Sequence, residues 1–133
     1  MQKPTIHHIQ TAIPKGGEAQ ALAFYGQVLG LEEIPKPEHL QSRGGVWFRT
    51  GNLELHLGVD PAFVASRKAH IAFQFDDLER VREALLSDGF AVEVDEPLPD
   101  FERFYTSDPF GNRVELLAPT DQDTPGGAEA SLT

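Results

Sequence analysis

From Lys68 to Phe75 the chain reads KAHIAFQF. Strict alternation there puts Ile71, Phe73 and Phe75 on one face of a strand and His70, Ala72 and Gln74 on the other. The same period of two marks a strand at Ile6–Ile13, closed by Pro14 and Gly16-Gly17. Glu18–Leu29 has helical spacing through Leu22, Tyr25 and Leu29, with Gly30 placed to end it. Leu31–Ile34 is a short strand and Pro35–Gly44 an exposed loop. Gly45–Thr50 and Leu53–Gly58 form a hairpin about Gly51-Asn52, residue types that tolerate positive φ. The first half is thus β-α-β-β-β.

After the connector Val59–Arg67 the order returns. Strand Lys68–Phe75 leads to a helix from about Asp77 to Asp88, capped by Asp76 or Asp77 and ended by Gly89. Strands follow at Phe90–Val94, Phe101–Thr106 and Arg113–Ala118, with loop Asp95–Asp100 and turn Ser107–Asn112 between them. Landmarks of unlike chemistry keep nearly one offset. His8 and His70 are 62 positions apart, Gly30 and Gly89 59, Gly51 and Gly111 60, Glu54 and Glu115 61. Agreement of four in order argues a duplication. The expected fold class is α+β, two tandem β-α-β-β-β modules forming curved mixed sheets around a cup-shaped cavity. One domain should span 1–118, with module one at 5–58 and module two at 68–118.

Composition narrows the partners. A formal charge of −10 disfavours nucleic acid and anionic membrane surfaces. No apolar run approaches the roughly 20 residues that cross a bilayer, and the N-terminus lacks the layout of a secretory signal. A cytoplasmic location is the default. Without cysteine there is no disulfide or thiolate chemistry, so any metal must be held by nitrogen and oxygen. Residues 119–133 are acidic and rich in small side chains, and read as a flexible tail.

Strand parity then sorts the chemistry. His8 opposes Ile9 and Ile13, Glu54 and His56 oppose Leu53, Leu55 and Leu57, His70 opposes Ile71 and Phe73, and Glu115 opposes Val114 and Leu116. A plain wet face would carry scattered Lys, Thr and Ser. Here the faces opposite the apolar ones carry His8, Glu54, His70 and Glu115, one per strand at repeated positions. Two imidazoles and two carboxylates suit a divalent Mn, Fe, Ni, Co or Zn ion. With no ion bound, two carboxylates sharing one cavity should repel and raise at least one pKa. His56, on the Glu54 face, can replace Glu54 as ligand or serve as a pocket acid or base. Trp47 reads as core or cavity wall. Arg103 and Tyr105 share a face and can anchor an anionic or aromatic substrate, or serve in surface packing or a dimer contact. Arg67 and Lys68 read as solvated, and Phe110 as structural. No phosphate-binding glycine loop, dinucleotide fingerprint or nucleophile elbow is present.

The duplicated module, FYGQVLGL (Phe24–Leu31), His8, AHIAF (Ala69–Phe73) and DPFGNRVEL (Asp108–Leu116) together resemble the vicinal-oxygen-chelate superfamily. That group includes glyoxalase I, methylmalonyl-CoA epimerase, extradiol dioxygenases, and fosfomycin and bleomycin resistance proteins. The resemblance implies His8, His70 and Glu115 at the three recurrent metal positions and Glu54 at the fourth. It implies Glu115 or Glu54 as the proton-moving base and a glyoxalase-like lyase or isomerase acting on a small-molecule substrate. An extradiol dioxygenase and a non-catalytic binding protein are the alternatives, and a homodimer is the implied assembly.

Overall fold

The computed structural model describes residues 2–120. Two four-stranded sheets account for the two modules. The first contains β1 (His8–Ile13), β2 (Glu32–Ile34), β3 (Val46–Thr50) and β4 (Leu53–Val59), in spatial order β1-β4-β3-β2. The second contains β5 (Ile71–Gln74), β6 (Glu93–Val94), β7 (Phe101–Ser107) and β8 (Arg113–Pro119), in the matching order β5-β8-β7-β6. In each, the first strand runs parallel to the last and the other pairs are antiparallel. The α+β class and the tandem modules are as the alternation implies.

Several boundaries differ from expectation, each for a local reason. The first helix is α-helical only over Glu18–Ala21 (α1) and continues as a π-helix over Leu22–Val28. Within that stretch the adjacent Phe24 and Tyr25 are both buried in the core. Its end is sealed by the Leu29 N–H donating to the Phe24 carbonyl, with Gly30 at φ +86°. The expected loop before Gly44 contains a 3-10 helix, Glu38–Arg43. Helix α2 (Leu78–Ser87) is capped by Asp77, whose side chain accepts from the Arg80 N–H. Strand β5 begins one residue after His70, so the imidazole sits at the strand's entrance. At the hairpin only Gly51 adopts positive φ; Asn52 does not. Of the tail expected from 119 onward, Pro119 closes β8 and the Thr120 N–H donates to the Asp100 carbonyl. Positions 121–133 lie outside the described residues.

The modules share one apolar core. Phe24, Phe48, Leu55 and Leu57 of the first pack in the same cluster as Leu85, Phe104 and Leu116 of the second. A buried polar knot ties them as well. The Asp108 carboxylate, 4% exposed, accepts from the Tyr25 hydroxyl at 2.7 Å. It also accepts from the Phe110 and Asn112 N–H groups and the Asn112 side-chain amide, each at 2.9 Å. The same amide donates across to the Ala12 carbonyl of β1, while its oxygen accepts from the Ser66 N–H. Burial, then the Asp108 charge and hydrogen bond, push the Tyr25 phenol well above its usual pKa. The DPFGN turn is therefore the joint between modules, with the Phe110 ring filling the space where a Gly17 side chain would stand.

Candidate functional site

Parallel pairing sets His8 directly opposite Glu54 and Gln10 opposite His56. On β3, Trp47 faces His56 and Arg49 faces Glu54. The result is a column of rings. Trp47 lies flat on His56 at 3.7 Å between centroids, and His8 stacks on His56 at 4.3 Å. His56, 6% exposed, donates from Nε2 to the Glu54 carboxylate at 2.9 Å, and Arg49 approaches the same carboxylate at 3.6 Å. The His56 hydrogen bond lowers the Glu54 pKa, against the opposing effect of desolvation; the charges of His7, His56 and Arg49 lower it further. His7, on the opposite parity, still reaches its neighbour, with Nδ1 3.0 Å from His8 Nδ1.

The second sheet repeats the carboxylate with different company. Glu115, 4% exposed, meets His70 Nε2 at 2.8 Å and Arg103 Nη1 at 3.4 Å. Each module thus holds its carboxylate between an imidazole and a guanidinium. His70 Nδ1 lies 2.9 Å from the Lys68 carbonyl, which can only accept, so Nδ1 carries a hydrogen. Arg103 also donates to the Tyr105 hydroxyl at 3.0 Å and to the Glu96 carbonyl at 2.8 Å, and pairs with Asp95 at 3.7 Å. It ties loop 95–100 to Glu115. The Tyr105 ring stands edge-on to His70 at 5.3 Å and carries the Arg113 guanidinium 3.8 Å from its centroid.

The structure therefore forms two pairs, Glu54 with His56 beside His8, and Glu115 with His70. Among the described residues no three His, Asp or Glu side chains converge to hold a metal ion. Glu54 borders a cleft of ≈ 500 Å³ with Leu29, Leu55 and Phe73. His70 borders a smaller one of ≈ 210 Å³ with Gln10, Thr11 and Arg113. Ile9 and Ile71 line both. The expected rise of a carboxylate pKa by mutual repulsion is not what Glu54 shows: its immediate neighbours are an imidazole and a guanidinium, and its pKa is lowered. Sequence reading missed Arg49 and Arg113 as members of these clusters. The signal available was register, since Arg49 lies across from Glu54, and Arg113 heads the Glu115 strand.

A duplicated β-α-β-β-β scaffold with one imidazole-bound carboxylate per module is the arrangement expected of the vicinal-oxygen-chelate superfamily. The sequence matches the model of the Glyoxalase/Bleomycin resistance protein/Dioxygenase superfamily over residues 5–116, and the chain belongs to that family. Among solved structures it is similar to a protein from Bacillus anthracis described as of the glyoxalase family. That pair shares 45% identity over 90% of this chain and 98% of the other, with a TM-score of 0.84. Two further neighbours share the fold. They are lactoylglutathione lyase from Agrobacterium tumefaciens (23% identity, 89% and 96% covered, TM-score 0.68) and TnmS3, an antibiotic binding protein from Streptomyces sp. CB03234 (18%, 90% and 99%, 0.70). No curated protein sequence matches. Among the described residues no helix is long and apolar enough to cross a membrane.

Proposed function

We propose that the protein is a small metal-dependent enzyme of the glyoxalase-like type. It would be a cytoplasmic lyase or isomerase whose small-molecule substrate offers two adjacent oxygens. The observation that carries this reading is that the last strand of each module holds a carboxylate hydrogen-bonded by an imidazole, Glu54 by His56 and Glu115 by His70. By strand register His56, across from Gln10 and Trp47, takes the place that Glu115, across from Ala72 and Tyr105, takes in the second module. The donor chemistry of His8, Glu54, His70 and Glu115 fits Mn, Fe, Ni, Co or Zn. Because the two pairs belong to different clefts of one chain, the full ligand set is assembled in a homodimer. His8 and Glu54 of one protomer then face the other half-set of its partner.

A bound divalent ion supplies Lewis acidity toward a developing oxyanion. The rest falls to the chain. Glu115 and Glu54 are the proton carriers, each within hydrogen-bond reach of an imidazole that can share the proton. Arg103 orients Glu115, Trp47 and Tyr105 form the walls, and burial of Glu115 keeps bulk water from its oxygens.

The test is metal content and mass in solution of protein purified under metal-replete conditions, beside a Glu115→Ala variant. The reading expects a dimer with stoichiometric divalent ion. It expects loss of that ion in the variant, and turnover of methylglyoxal-thiol adducts falling by at least about 100-fold. Turnover of catechols with oxygen instead would make the protein a dioxygenase. A second reading, a non-catalytic binding protein, is favoured by Arg103, which offsets the Glu115 charge without any ion. Metal-free wild type, with Glu115→Ala unchanged in ligand binding, would establish that reading and overturn the first.

A further inference from the structure

We infer that the protein carries an anion-recognition site, built from Arg113 and Arg67 one tyrosine ring away from His70 and Glu115, which takes the carboxylate of a small-molecule ligand. These two arginines, with Ser107, Gly111 and Glu93, line a surface pocket of ≈ 360 Å³. Among the described residues neither arginine is ion-paired to a carboxylate, whereas Arg49, Arg82 and Arg103 are. Arg43 and Arg80 form no ion pair there either, so what sets Arg67 and Arg113 apart is that they line one pocket together. Arg67 and Lys68 precede β5, and Arg113 opens β8, its N–H donating to the Ser66 carbonyl, so three of the chain's 11 basic residues sit close together in the fold.

Arg113 is also held ready. Its guanidinium lies 3.8 Å from the Tyr105 ring centroid, and the Tyr105 hydroxyl is fixed by Arg103. A cation–π contact of this kind holds the guanidinium beside the ring without using its N–H donors, the part that grips a carboxylate. Half-burial of Arg113 strengthens such a contact; Arg67 is exposed and adds charge. Glu93 selects among anions. Two guanidiniums and one carboxylate leave a single net positive charge, which matches a carboxylate and disfavours a doubly charged phosphate.

The inference deepens the proposed function, since it makes the ligand anionic at the end nearest Tyr105, yet it needs no metal. The test is a titration of the full-length, metal-free protein with sodium acetate and, separately, inorganic phosphate at constant ionic strength. It follows the arginine Nε–Hε NMR signals. Arg113 should be identifiable by its ring-current shift, and Arg80 and Arg82 on α2 serve as internal references. Acetate should shift Arg113 and Arg67 saturably and leave the references still. Arg67→Ala, at an exposed position that does not threaten folding, and Arg113→Met should each weaken binding about ten-fold or more. Glu93→Gln should tighten it. Tighter binding of phosphate than of acetate overturns the carboxylate assignment. Uniform shifts of all arginines, or unchanged titrations in both arginine variants, overturn the site. Metal content measured separately decides the enzyme reading, so the two can fail independently.

Discussion

Replacing Tyr25 by phenylalanine deletes one hydroxyl from the joint between the modules and leaves the ring in place. Tyr25 is 1% exposed and its partner Asp108 4%, so water cannot restore the lost bond without rearrangement. Asp108 keeps its other three donors, at 2.9 Å each. A hydrogen bond to a buried charge contributes roughly 1.5–3 kcal/mol, which sets the expected loss at about 2 kcal/mol at neutral pH. With an ordinary urea dependence the unfolding midpoint should fall by about 1 M with an unchanged slope. The pH dependence sharpens the test. The folded phenol has its pKa raised by burial and by Asp108, so its stabilisation is whole below the unfolded value near 10. Above it the unfolded chain releases a proton that the folded chain retains, and the wild type loses about 1.4 kcal/mol per pH unit from this group. Phenylalanine has no such proton, so the gap between the two proteins should narrow sharply from pH 10 to pH 11. Urea melts at pH 7 and pH 11 read both quantities. A loss below about 0.5 kcal/mol at pH 7, or an equal gap at the two pH values, would refute the account of the joint.

Two further substitutions probe the scaffold. Thr106, 3% exposed, has a hydroxyl with no hydrogen-bond partner among the described residues, so Thr106→Val should stabilise the protein by about 1 kcal/mol in the same urea assay; a decrease would mean that the hydroxyl is satisfied after all. Gly45 has φ +87°, and a methyl group there would lie 2.2 Å from the Leu57 carbonyl oxygen of β4. Gly45→Ala should therefore cost about 3 kcal/mol or more. Gly51→Ala, at φ +57° with no atom in its way, should cost only the roughly 1–2 kcal/mol of left-handed strain. Equal losses in the two variants would contradict that distinction.

What could be read from the residues follows the range of the forces involved. Strand order within each module rests on alternation and on glycine turns, both local, and the near-constant offsets carried the duplication. The carboxylates at Glu54 and Glu115 were legible for the same reason, since parity is a local property of a strand. Their neighbours were harder. Arg103 reaches Glu115 diagonally, because its directly opposite residue on β8 is Leu117 and that of Glu115 is Tyr105. Cross-strand register is decided by pairing, not by either strand alone. The Tyr25–Asp108 bond joins residues 83 positions apart, and only assembly of the two modules creates it. The π-helical stretch at Leu22–Val28 was hidden too, since apolar spacing alone does not tell a π-helix from an α-helix over so short a run. How the two half-sets lie within one chain is likewise a matter of tertiary geometry.

Trp47, flat against His56 at 3.7 Å, is the chain's one tryptophan. Its emission comes from a single address, the Glu54 end of the first sheet, with no second indole to dilute it. The His70–Glu115 pair has Tyr105 as its aromatic neighbour, so the two pairs sit beside chromophores of different kinds. Selective excitation of the indole therefore reports on the surroundings of Glu54 and His56 apart from those of His70 and Glu115. The fold thus supplies, without labelling, an optical readout that separates events at its two ends.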